Sequence, residues 1–295
     1  MLKAYDGIAV VQETFDEASE CLGQDLWKLT GQGPVDELNR TVNTQPVMLA
    51  VGVAVYRAWR AIGGPAADFL AGHSLGEYAA LVAAGALQFE DAVPLVRFRA
   101  QTMQDAVPAG TGAMAAVLGL DDDAVRAACK EATRPDEVAE AANLNAPGQV
   151  VIAGHRAAVE RAIEAAKARG AKRAVLLPMS VPSHCSLMRS AAEKLKTRLE
   201  GVSIHSPQIQ VLQNSSIKSA TTPAEVKEAL VRQLYLPVRW AETVKALVSH
   251  GVTHLVECGP GKVLAGLNKR IVPDTQSIAL SDATAIADAL AALRA

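Results

Sequence analysis

A serine framed by glycines, Gly72-His73-Ser74-Leu75-Gly76, is where spacing first suggests chemistry. It reads Gly-x-Ser-x-Gly. The apolar residues 67–71, interrupted by Asp68, precede it, and an alanine-rich helical run over residues 77–86 follows. Strand, sharp turn and helix is the setting in which a serine hydroxyl is held out from a tight elbow. Glycines suit the turn because a Cβ beside the serine would clash. Free N–H groups and the dipole at the head of the following helix favour a developing negative charge. Five-residue patterns recur by chance, so the flanks carry much of the weight.

Serine needs a base, and histidine is the usual one near neutral pH. Of six histidines, His73 adjoins Ser74 on the elbow and is expected to point away from the hydroxyl. His155 starts a helix, and His205, His250 and His254 lie in polar or loop-like settings that suit solvated side chains. His184, in Val181-Pro182-Ser183-His184, stands where the chain re-enters its main body beside the expected cleft; an ordinary buried or surface histidine is the plainer default, and this position shifts the reading toward a base. No acidic residue stands out between Ser74 and His184 outside residues 109–178, so a Ser-Asp-His order is not found. A backbone carbonyl accepting from Nδ1–H can orient the ring instead. Cys185 follows His184 directly, and adjacent side chains rarely face each other, so it is set aside as a nucleophile. On the helix expected from residue 89 to about 106, Val96, Arg99 and Met103 share a face, so Arg99 points inward more readily than Arg97. A surface arginine or an internal ion pair is the plainer alternative.

The elements that must position these residues follow from periodicity. Helical spacing runs over residues 8–22, 26–29, 35–38 and 47–62, the last led by Thr44-Gln45-Pro46 and ended by Gly63-Gly64-Pro65. After the hinge-like Pro108-Ala109-Gly110-Thr111-Gly112 the rhythm becomes β-α-β-β-α-β up to residue 177, the order of a ferredoxin-like split βαβ unit. Strand and helix then alternate to the end, implying a mostly parallel sheet with helices on both faces. The expected fold class is therefore α/β: a large hydrolase-like domain over residues 1–108 and 179–295, with a small ferredoxin-like subdomain, 109–178, inserted in it.

Bulk properties exclude other classes. The 295 residues suffice for one large domain or two, and half are hydrophobic. A net charge of −2 without a basic patch argues against nucleic acid. No apolar run reaches the ~20 residues of a membrane span, and no signal-peptide pattern opens the chain, so a cytoplasmic location is expected. The four cysteines form no C-x-x-C pair, so neither a metal nor a redox motif is suggested and free thiols are expected. Gly259-Pro260-Gly261-Lys262 is not a phosphate loop: Val256 stands where the first glycine is needed and Val263 follows the lysine. A strand-to-helix turn is the reading preferred.

Taken together, these segments resemble the malonyl-CoA:acyl carrier protein transacylases of bacterial type II fatty-acid synthesis. The resemblance runs from about Phe15 to the C-terminus. It is carried by Gly72-His73-Ser74-Leu75-Gly76-Glu77-Tyr78, residues 108–114, Asn145-Ala146-Pro147-Gly148-Gln149, Val181-Pro182-Ser183-His184, Arg232-Gln233-Leu234-Tyr235 and Val256-Glu257-Cys258-Gly259-Pro260-Gly261-Lys262. It implies that Ser74 takes the malonyl group as an ester and that His184 is the base. It further implies that Arg99 pairs with the free malonyl carboxylate, that the Gln233 carbonyl orients His184, and that the Leu75 N–H is one oxyanion donor. Malonyl-CoA and acyl carrier protein are the implied partners, with no metal or redox cofactor, and an acidic carrier protein implies a local basic patch. The family also begins with an apolar strand and a Gly-Gln-Gly loop giving a second oxyanion donor. This sequence has neither, and Gly31-Gln32-Gly33 is a decoy with no strand before it. A start placed too far downstream, or a deliberate truncation, is expected, and the intact mass of the natural protein tests the first. Two alternatives stay open: a serine thioesterase or hydrolase, and a catalytically impaired carrier-protein-binding protein.

Overall fold

The computed structural model describes residues 2–179 and 181–294. Met1, Ser180 and Ala295, which fall within the expected domain segments, lie outside the described residues. Eight strands are described: β1 (Phe69–Ala71), β2 (Gly112–Leu118), β3 (Ala139–Ala146), β4 (Gln149–His155), β5 (Arg173–Leu176), β6 (Gln210–Leu212), β7 (His254–Glu257) and β8 (Gln276–Ala279).

Strands β2 to β5 form one antiparallel sheet in the order β3-β4-β2-β5. Helices Asp122–Ala132 and Arg156–Ala168 join them as two crossovers. The first is set by Asp121, whose side chain accepts the Ala124 N–H. Val117, Val150 and Ile152 of the sheet close on Val125, Val159 and Ile163 of the helices, in a core of their own. Alternation in the strands and 3.6-residue spacing in the helices thus bury one face of each element.

The remainder is built on parallel pairs: β1 with β6, and β7 with β8. The parallel sheet read from the sequence is thus present but divided into two pieces. No strand among the described residues pairs with the second edge of β1 or of β7. Residues of both strands, Phe69 to Ala71 and His254 to Glu257, line the same groove of about 1040 Å³. A second core holds the helices around β1 and β6, with Phe15, Leu49, Leu81, Leu95, Leu195 and Val211 fully buried.

The largest shift of a helix boundary is at the start of the long apolar helix. The helix expected from residue 47 begins at Thr41 and runs to Ala61, with Pro46 inside it. Side-chain ties across four to six residues hold the extra turn. Asn43 donates to the Glu37 carbonyl and Thr44 to the Leu38 carbonyl, both on the preceding short helix Val35–Asn39. Gln45 donates to Thr41 Oγ1. These contacts offset the hydrogen bond that proline cannot donate, and they bring Gln45 into the interior.

Candidate active site

The elbow is built as its glycines require. Strand β1 stops at Ala71 and helix Gly76–Ala83 starts five residues later. A Cβ on Gly72 would stand 2.0 Å from the carbonyl carbon and oxygen of Gly76, so only glycine fits there. Ser74 lies between them with φ 51°, a left-handed conformation that serine adopts only when its surroundings hold it. Asn214 does much of the holding. Its Oδ1 accepts the Ser74 N–H at 2.7 Å, and its Nδ2 donates to the Gly72 carbonyl at 2.7 Å. The Leu75 N–H has no acceptor among the described residues and is left at the head of the helix.

His184 is buried, with φ 60°. Its Nδ1–H donates to the Gln233 carbonyl at 2.7 Å, which leaves Nε2 as an acceptor, 2.7 Å from Ser74 Oγ. The tautomer follows from that network. A carbonyl therefore orients this ring, a place that a carboxylate takes in a Ser-His-Asp triad. Burial, then the nearby Arg99 charge, push the His184 pKa down to about 3, against the raising effect of the Gln233 bond. The ring is thus neutral at physiological pH.

That depression has a consequence for stability. The folded pKa of about 3 lies below the unfolded value of 6.5. The associated stability is fully present above 6.5 and is lost as pH falls from there toward 3. In His184→Asn, which keeps a donor for Gln233 and does not titrate, the fall in melting temperature between pH 6.5 and 4 is expected to be several degrees shallower than in wild type, read by circular dichroism.

Arg99 is the largest fully buried side chain. From helix Phe89–Gln104 it reaches Ser74 Oγ with Nη2 at 3.3 Å and Gln233 Oε1 at 3.0 Å, while Nη1 donates to Gln45 Oε1 at 2.7 Å. Its Nε has no partner, and it makes no ion pair among the described residues. A buried cation held by neutral amides beside a serine hydroxyl is placed to receive an anionic group.

The structure therefore brings Ser74, His184, Arg99, Gln233 and Leu75 to one point. His73 turns away, its Nε2 bonded to Asn145 Oδ1 at 2.8 Å. Cys185 is sealed, its thiol donating to the Pro182 carbonyl and its pKa pushed up to about 12 by burial. The Pro260 turn leads from β7 into helix Val263–Ile271, and Glu257 accepts that helix's Leu264 and Ala265 N–H groups. Among the described residues no cluster of three or more metal-ligating side chains occurs, and no helix is long and apolar enough to cross a membrane.

Sequence reasoning missed Asn214, Gln45, Asn145 and Glu77 as parts of the site. The amides lie in stretches whose pattern carries no signal of burial. Glu77 reads as an ordinary solvated acid in a first helical turn, yet it is fully buried.

A profile of the acyl transferase domain family matches residues 5–281 of the chain. A malonyl CoA-acyl carrier protein transacylase of Escherichia coli (strain K12) is 54% identical over 281 residues, covering 95% of this chain and 91% of that protein. A solved acyl-carrier-protein S-malonyltransferase from Burkholderia pseudomallei superposes with a TM-score of 0.96 at 56% identity, over 98% of this chain and 94% of that one. A malonyl-transacylase solved in complex with its type II polyketide-synthase acyl carrier protein superposes with a TM-score of 0.97 at 50% identity, over 99% of this chain and 94% of that one.

Proposed function

The chain belongs to the acyl transferase domain family, and from that premise we propose how its own residues carry malonyl from malonyl-CoA to acyl carrier protein. Malonyl transfer in fatty-acid synthesis is its activity. The observation that carries the residue roles is the chain of contacts Gln233 C=O, His184, Ser74 Oγ, Arg99.

His184 Nε2 takes the Ser74 proton as Oγ attacks the thioester carbonyl. The Leu75 N–H donates to the resulting oxyanion. The intermediate collapses, the C–S bond breaks, and the histidinium returns its proton to the CoA sulfur. In the second half the phosphopantetheine thiol of the carrier protein gives its proton to His184 and attacks the malonyl ester, and Ser74 Oγ recovers the proton. Arg99 grips the free malonyl carboxylate. That anion offsets the Arg99 charge, which otherwise depresses His184, so the right substrate raises the basicity of its own base. The steps draw on no metal or redox group. The division into a body of residues 1–108 and 179–295 and an insert of 109–178 belongs to this reading. So does a cytoplasmic location.

Mixing the protein with malonyl-CoA and mapping the acyl group by peptide mass spectrometry tests the scheme. The peptide carrying Ser74 is expected to gain malonyl and to lose it when carrier protein bearing phosphopantetheine is added. Release of malonate to buffer faster than transfer to the carrier would mark a hydrolase instead.

A further inference from the structure

Among the described residues Glu77 is the only aspartate or glutamate that is buried. Its Oε2 accepts the Asn214 N–H at 3.0 Å and Gln233 Nε2 at 3.0 Å. Both donors lead to the reaction centre. Asn214 holds the Ser74 N–H through Oδ1. Gln233 holds His184 through its carbonyl, the Ser74 carbonyl through Nε2 at 2.9 Å, and Arg99 through Oε1. The Gln233 amide thus stands between a cation and an anion, oxygen toward Arg99 and nitrogen toward Glu77. Glu77 Oε1 has no hydrogen-bond partner among the described residues.

We propose that Glu77 is a positioning residue of the transferase: through Asn214 and Gln233 it keeps nucleophile and base in register, and its charge opposes the substrate carboxylate at Arg99. The opposition keeps the malonyl ester from being held too firmly to be passed on. This rests on the reading of Arg99 as the carboxylate grip. Burial also pushes the Glu77 pKa up to about 7, against the pull of Gln233, Asn214 and Arg99, so its charge changes near neutral pH. Besides Arg99, which stays charged, the titratable group that interacts with it is Tyr78, raised by burial and uncharged between pH 6 and 8.

Glu77→Gln keeps the volume and one acceptor oxygen for both donors, and removes the charge. Its ratio of malonyl to acetyl loading at pH 8 is expected to be ~3- to 10-fold above wild type. Wild type should approach the variant by pH 6 as Glu77 takes up a proton, while the variant stays flat. Titration of CoA is common to both acyl donors and cancels in the ratio, and any change that the malonyl carboxylate brings to His184 is carried by the Glu77→Gln profile as well. Glu77→Ala, assayed on its soluble monodisperse fraction, should show the same shift in ratio, with both loading rates also lowered by about tenfold or more for want of the two anchors. A Glu77→Gln ratio equal to wild type from pH 6 to 8 overturns the proposal, whether or not Glu77→Ala folds. If Arg99→Ala leaves the ratio unchanged as well, the fault lies in the Arg99 reading. If Arg99→Ala collapses it, the fault lies with Glu77 alone.

Discussion

Ser74→Ala is expected to abolish malonyl loading, with a loss of transfer on the order of 10⁴- to 10⁶-fold. The oxygen proposed to form the ester is gone, and no second hydroxyl or thiol among the described residues is hydrogen-bonded to His184. Cys185 is sealed and protonated. The Arg99 guanidinium, the Leu75 N–H and the substrate groove are untouched, so malonyl-CoA should still bind. His184→Ala should cost nearly as much, because a serine with no acceptor for its proton is a poor nucleophile. The double variant should be little worse than either single one, since the two groups act as a unit. Intact-protein mass spectrometry after mixing with malonyl-CoA reads the loading, and a carrier-protein assay reads the transfer. Loading of Ser74→Ala within tenfold of wild type would refute Ser74 as the acyl-bearing residue.

The second large effect is on selectivity. Arg99→Ala is expected to lower malonyl loading by ~10²-fold while acetyl loading changes little, so that the preference for malonyl collapses. The physical reason is desolvation. Arg99 is buried, and its unliganded partners are the neutral oxygens of Gln45, Gln233 and Ser74. A carboxylate supplies the charge compensation that these cannot, and an acetyl group leaves the guanidinium as it was. Truncation also removes donors from the Gln45 and Gln233 side chains, so the variant should lose some stability for both substrates alike. The ratio of the two loading rates removes that shared part. Arg99→Lys keeps the charge without the planar fork and should fall between wild type and alanine. Unchanged proportions of malonyl and acetyl loading in Arg99→Ala would exclude the carboxylate grip.

Much of this site was legible along the chain, and the reason is locality. The elbow is written in consecutive residues, because the tight turn admits only glycine at position 72. The inward face of Arg99 is written in its neighbours Val96 and Met103, because a helix repeats every 3.6 residues. The antiparallel insert is written in the change of period after Pro108, and its order β3-β4-β2-β5 follows from connections of that kind. His184 and Gln233 stood out by chain position and by family resemblance, and no local pattern marked them.

What only the tertiary structure decided is a set of contacts between distant residues. Ser74 meets His184 across 110 positions, and Gln233 reaches the Ser74 carbonyl across 159. Gln45 meets Arg99 across 54 positions, on a helix turn whose start at Thr41 is held by the ties of Asn43 and Thr44 to carbonyls six residues back. The parallel sheet came in two pairs because strand pairing is settled by which edges meet, and a short apolar run does not say which. Glu77 shows the same limit. An acid in a first helical turn has the same local signature whether water or Asn214 and Gln233 satisfy it, and only the packing of segments more than 130 residues away decides between them. By itself the sequence determined that a serine would stand on an elbow, and it ranked Arg99 ahead of Arg97 to face in. The fold decided what charge and which hydrogen bonds that serine would find there, because those depend on groups that no local spacing relates.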